Sequence, residues 1–287
     1  MEYQSNGIID SSLNNKRRGE VLLYQTAGAR GALVGEALMK SKCVTSFIQE
    51  LLGEKSILEL PVDQRIIKKV CGITNIEDAI ICLENGADMI GLIFCKSPRQ
   101  ISIQAAKAIV TTLREYYATQ SSVTKNCQLK IVGVFSNSTP YEMNRVAWFV
   151  GLDYLQLHGD EDSSISTLLC RPSIKVFHVM ENQVNVLFQN LRENIRCWDL
   201  ILLDTCTQKI GQQGGSGITF DWSIGKEIAE KFKVKLMIAG GISGENLNEV
   251  IEIIGSDHIY GVDTCSGVEG SVKGKKDRIK LLHYLRG

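Results

Sequence analysis

From about Lys68 onward, short apolar runs alternate with longer segments of mixed polarity. The runs are "KKVC" ending at Cys71, "DMIGLIF" at Phe94, "KIVGVF" at Phe135, "DYLQLH" at His158, "IKVFHV" at Val179, "DLILLD" at Asp204, "KLMIAG" at Gly240 and "IYGVD" at Asp263. They are rich in Val, Ile and Leu without strict two-residue alternation, the pattern of strands buried on both faces. Between them, "NIEDAIICLENGA", "PYEMNRVAWFVG" and "GENLNEVIEIIG" have helix length, and several end on Gly, a helix-stop signal. Eight strand-and-helix units in about 220 residues are the arithmetic of an α/β fold of the (β/α)8 TIM-barrel type. The runner-up is a doubly wound open sheet, which usually has fewer strands and often opens on a GxGxxG turn that the first βα turn here lacks.

Composition narrows the classes of function. A chain of 287 residues can bury one large core, or a core plus a small appendage. With 44% hydrophobic and 22% charged residues it has ordinary globular composition. A formal net charge of zero gives no electrostatic reason to expect nucleic acid or an anionic membrane as partner. No apolar run approaches the roughly 18 to 20 residues that span a bilayer. The opening "MEYQSNGIIDSSLNNKRRGE" lacks a signal-peptide pattern, and its acidic Glu2, Asp10 and Glu20 argue against a transit peptide. Nine cysteines without CxxC spacing read as free thiols in a reducing cytoplasm. No two cysteines or histidines stand at ligand spacing, so no metal is expected.

The barrel assignment changes the meaning of Cys71, because chemistry in this fold gathers at the C-terminal ends of the strands. Cys71 ends strand one, Arg99 lies in the loop after strand two, Asp204 ends strand six and Asp263 ends strand eight. Strand seven runs into "AGGIS" with Gly240 and Gly241, and strand eight into "DTCSGVEG" with Ser266 and Gly267 opening a short helix. Small residues there leave backbone N–H groups free to approach an anion, and these two loops are the usual phosphate site of such barrels. A thiolate facing a protonated carboxyl over a phosphorylated ligand suggests isomerisation by proton transfer, with no cofactor. Blander roles stay open: Cys71 as a core residue, Asp204 as a loop cap, the glycines as tight turns.

The region from about Ile67 to the C-terminus resembles phosphoribosylanthranilate isomerase. The resemblance rests on "KVCGITNIEDA", "GLIFCKSPRQIS", "VGVFSN", "LQLHGDE", "LLDT", "GGSGITFDW", "IAGGIS" and "GVDTCSGVEGSVKGKKD", in order and at barrel spacing. It implies Cys71 as general base, Asp204 as general acid, Arg99 as the partner of the anthranilate carboxylate and Asp263 as a further substrate-binding residue. It implies a phosphate site on Gly240, Gly241, Ser266 and Gly267, and an Amadori rearrangement in tryptophan biosynthesis. Cys265 stands where serine is more usual, and "SVKGKKD" lacks the proline expected after the glutamate. The rivals are another sugar-phosphate isomerase or epimerase barrel and a non-catalytic phosphate-ligand scaffold.

Residues 1–60 fall outside that match, with 61–66 as linker ahead of a 67–287 barrel. Here "GALVG" is strand-like and a helical pattern follows from Glu36 to Leu52. The segment resembles the last βα unit of indole-glycerol-phosphate synthase, which makes it an N-terminal strand/helix extension without a synthase barrel, or part of a multifunctional protein truncated in that domain. Its apolar residues are expected to dock on the barrel or to mediate association.

Overall fold

The structure, a computed structural model, describes residues 65–119, 129–205 and 220–287. Its strands are β1 (Ile67–Cys71), β2 (Met89–Ile93), β3 (Lys130–Phe135), β4 (Tyr154–Leu157), β5 (Ser173–Val179), β6 (Leu200–Thr205), β7 (Leu236–Ile238) and β8 (Ile259–Thr264). All neighbouring pairs are parallel, and β8 returns to pair with β1, closing an eight-stranded barrel. Every apolar run of the sequence is a strand, in order. The helices are α1 (Ile76–Glu84), α2 (Ile103–Thr119), α3 (Pro140–Val150), α4 (Val184–Asn194), α5 (Ser223–Phe232), α6 (Leu247–Ile254) and α7 (Arg278–Arg286). The doubly wound alternative is excluded by closure. Among the described residues no helix is long and apolar enough to cross a membrane.

Two departures from strict alternation have local causes. β4 is followed by a 3-10 segment, Ser163–Leu168, in place of an α-helix. The seventh run yields only three strand residues, because Gly240 (φ +84°) and Gly241 (φ +71°) already turn the chain in the left-handed region. The extension over residues 1–60, most of the 61–66 linker and the association expected of that extension lie outside the described residues.

Alternation within each strand sorts the core into shells. Outward residues such as Val70, Ile90, Ile131, Leu155, Leu203 and Val262 pack against the helices. Inward residues Met89, Val132, Ile174, Val176, Leu200, Leu202 and Met237 fill the barrel. A smaller cluster at the strand tips contains Cys71, Ile93 and Val134, with Cys95 and Cys265 packed on it. Helix starts follow side-chain chemistry. Asn75 caps α1 by accepting from the Asp78 N–H. Thr139 and Glu142 form a capping box on α3, with Pro140 in its first turn.

Candidate active site

In β1 the inward positions are Ile67, Lys69 and Cys71, so the strand sends a lysine and then a thiol up the barrel interior. The thiol's space is made by Gly91 on β2, where an added Cβ would sit 2.6 Å from Cys71 Sγ. Register continues the β1–β8 pairing of Lys69 with Asp263 and Val70 with Thr264 toward Cys71 beside Cys265. Lys276 Nζ bridges the two tips, donating to the Cys71 carbonyl at 2.7 Å and the Cys265 carbonyl at 2.9 Å. Cys265 packs on the cluster that holds Cys71, and Lys69 and Lys276 lie close enough to favour negative charge there. The neighbouring Cys265 thiol and these cations outweigh burial and hold the Cys71 thiol well below its ordinary value. The neighbouring Cys71 thiol, and then burial, push Cys265 the other way.

Across the barrel, Asp204 is the inward tip of β6 and is buried. Burial is the largest influence on it. The charge of Cys71 adds to burial, and the two outweigh the Thr205 N–H and Lys69, lifting its carboxyl to about 7. Beside it, His158 Nε2 lies 3.5 Å from Asp204 Oδ2, and burial depresses this imidazole to about 3, so the ring is neutral. The His178 ring packs against it, tilted by 58° at 5.0 Å between centroids, its Nδ1 buried without a partner. Ligand-type atoms of His158, His178 and Asp204 thus lie within 4.8 Å of one another. Spacing along the chain could not show this grouping, since the three residues come from three successive strands or their ends.

Asp263 forms a buried ion pair with Lys69, Nζ to Oδ2 at 2.7 Å. Burial, opposed by that lysine, raises the Asp263 carboxyl to about 7, and its Oδ1 is buried with no partner. Arg99 is already engaged. Its Nε and one terminal nitrogen grip both carboxylate oxygens of Glu269 at 2.6 and 2.7 Å, and Lys276 also reaches Glu269 at 3.3 Å. The fork fixes the guanidinium beside Gly72, where an added Cβ would be 2.8 Å from the Arg99 Cδ. Gly240 and Gly267 are sterically required. A Cβ on the first would overlap Thr205 Oγ1, and one on the second the Ile242 carbonyl. Ser266–Val268 is one 3-10 turn, so an anion there would be held by loop amides and not by a helix dipole.

All eight residues singled out from sequence therefore lie at the C-terminal mouth. Sequence reasoning missed Lys69, Gly91, Glu269 and Lys276, and undervalued Cys265. Only Lys69 carried a signal, as a charged residue inside the buried strand "IKKVC".

The chain matches the sequence profile of N-(5'phosphoribosyl)anthranilate (PRA) isomerase over residues 68–286. It is 35% identical to the tryptophan biosynthesis protein TRP1 of Phytophthora nicotianae, over 93% of this chain and 56% of that protein. The chain thus spans little more than half the length of that relative, yet the likeness extends ahead of Lys68. It is 37% identical to the N-(5'-phosphoribosyl)anthranilate isomerase of Pseudomonas savastanoi, over 76% of this chain and 94% of the relative. The solved phosphoribosyl anthranilate isomerase of Thermotoga maritima superposes with a TM-score of 0.62 at 32% identity, covering 77% of this chain and 98% of that one. With its barrel closed and a thiol facing a carboxyl across the mouth, this chain belongs to the phosphoribosylanthranilate isomerase family.

Proposed function

We propose that the chain isomerises N-(5'-phosphoribosyl)anthranilate to 1-(2-carboxyphenylamino)-1-deoxyribulose 5-phosphate, a step of tryptophan biosynthesis. The observation that carries the mechanism is the opposed tuning of two groups in one mouth. The Cys71 thiol is held low, and the Asp204 carboxyl is lifted to about 7. Near neutral pH one is the available base and the other the available acid. Protonated Asp204 donates to the furanose ring oxygen, the ring opens, and the anthranilate nitrogen becomes a Schiff base. The Cys71 thiolate removes the C2′ proton, and the enolamine tautomerises to the ketone. The proton count balances, because the acid's loss at one site is matched by the base's gain at the other.

Substrate binding follows from the remaining groups. Arg99 keeps one terminal nitrogen outside its fork with Glu269 and presents it to the anthranilate carboxylate. The unpartnered Asp263 Oδ1 accepts from a ribose hydroxyl. Gly240, Gly241, Ser266 and Gly267 offer loop amides to the phosphate. Six described cysteines, among them Cys71, Cys82 and Cys170, are unbridged, which fits a reducing cytoplasm. Residues ahead of the barrel are read as part of a pathway fusion, since the likeness to TRP1 covers 93% of this chain.

The test is turnover of freshly generated phosphoribosylanthranilate, followed by loss of its fluorescence, with and without chelator. Chelator-resistant turnover is expected. Activity lost on chelation would shift the reading to a metal-assisted barrel using the His158, His178 and Asp204 grouping.

A further inference from the structure

We infer that Cys71 and Cys265 form a reversible disulfide that switches the enzyme off under hydroperoxide stress. The inference rests on the reading of Cys71 as catalytic base, and three independent features of geometry support it. The β1–β8 register sets the two residues side by side immediately past the pair Val70–Thr264. One ammonium, Lys276 Nζ, bonds both carbonyls, at 2.7 and 2.9 Å, so the two backbones are held within bridging range of each other. The two side chains share the small cluster at the barrel mouth.

The chemistry suits this pair. Oxidation selects thiolates over thiols, and the cations around Cys71 favour its thiolate. The thiolate sulfur attacks a hydroperoxide, the O–O bond breaks, and Cys71 becomes a sulfenic acid while the peroxide departs as hydroxide or alkoxide. The Cys265 sulfur then attacks the Cys71 sulfur. The S–S bond forms, the S–O bond breaks, and water leaves with the Cys265 proton. In sum two thiols lose two electrons and two protons, and one peroxide is reduced. Two thiols then reduce the bridge by exchange. Other described cysteines fit the role less well. Cys82 is fully buried against α1's neighbours, and burial pushes its thiol up to about 12. Cys170 is buried just ahead of the N-terminal end of β5, the end opposite the mouth.

The experiment treats the full chain with hydrogen peroxide, alkylates the remaining thiols, maps disulfides by mass spectrometry and assays turnover before and after dithiothreitol. The expected result is a Cys71–Cys265 linked peptide, a loss of turnover of at least about 100-fold, as for removal of a proton-transfer group, and recovery on reduction. The Cys265→Ser variant, compared with its own untreated rate, should yield no linked peptide, and its peroxide inactivation should become progressively irreversible. Absence of the linked peptide in the unaltered chain, or a bridge from Cys71 to Cys95 instead, would overturn the inference while leaving Cys71 as base. A Cys71–Cys265 bridge with turnover unchanged would overturn both the switch and the base assignment.

Discussion

The two sides of the barrel mouth are built on opposite electrostatic plans. On the β1, β2 and β8 side, Lys69, Arg99 and Lys276 converge on two carboxylates and a thiol, and their polar atoms are largely satisfied. On the β4 to β6 side stand two neutral imidazoles and a carboxyl, with His158 Nε2 and His178 Nδ1 unpartnered. The nearby cation Lys175 is consumed by Glu161 at 2.7 Å and by the Gly159 carbonyl. A thiol among cations ionises readily, and a buried carboxyl without a close cation keeps its proton. The barrel thus makes a base and an acid from groups whose ordinary values run in the reverse order.

The largest expected effect comes from deleting either end of this contrast. Cys71→Ser and Asp204→Asn should each lower kcat by roughly 10²- to 10⁴-fold, with binding of a product analogue retained. Stability should separate the two. Asp204 has a folded value of about 7 against an ordinary 3.8, so the stability linked to its protonated form is present below 3.8 and lost as pH rises through 7. Asp204→Asn should therefore raise Tm at pH 8, by a free energy of at most about 4 kcal/mol. A lower Tm would show that the carboxylate is stabilised by contacts other than those described.

Next in size is the buried pair. Asp263→Asn leaves Lys69 charged and alone, at a cost of about 3–5 kcal/mol by denaturant melt, and adding Lys69→Met should recover much of it. In the same range for catalysis, Gly91→Ala pushes a methyl against Cys71 Sγ and should depress kcat more than it depresses Tm. Arg99→Lys should raise KM by about tenfold, since lysine cannot hold Glu269 in a fork and still face a carboxylate. The subtlest test is the pH profile. Turnover needs protonated Asp204, so kcat/KM should fall as pH rises through about 7, and fall again in acid once Cys71 loses its thiolate. A profile flat from pH 6 to 9 would remove Asp204 as the acid. Cys82→Ala, on helix α1 outside the barrel strands, should change kcat least.

Much of this is legible in the sequence. The apolar runs marked all eight strands, and Cys71, Asp204 and Asp263 were found at strand tips because a barrel strand's last inward residue is polar only where it faces the mouth. The engagement of Arg99 was not legible. Its partner Glu269 is 170 positions away, and nothing in "KSPR" or "GVEG" pairs them until β2 and β8 flank β1. The absence of metal-ligand spacing was equally uninformative, since His158, His178 and Asp204 meet only through adjacent strand ends.

The pattern of apolar runs, glycine stops and polar strand tips determined by itself the fold, the strand order and the end of the barrel where chemistry gathers, because these depend on local periodicity. Closure of β8 onto β1 decided the ionisation of the thiol side of the site, and burial in the closed barrel that of Asp204. Closure brings Lys69 to Asp263 across 194 positions and Lys276 to Cys71 across 205. Proton affinity depends on charges and water within a few ångströms, and which residues lie within that distance is a property of the folded barrel.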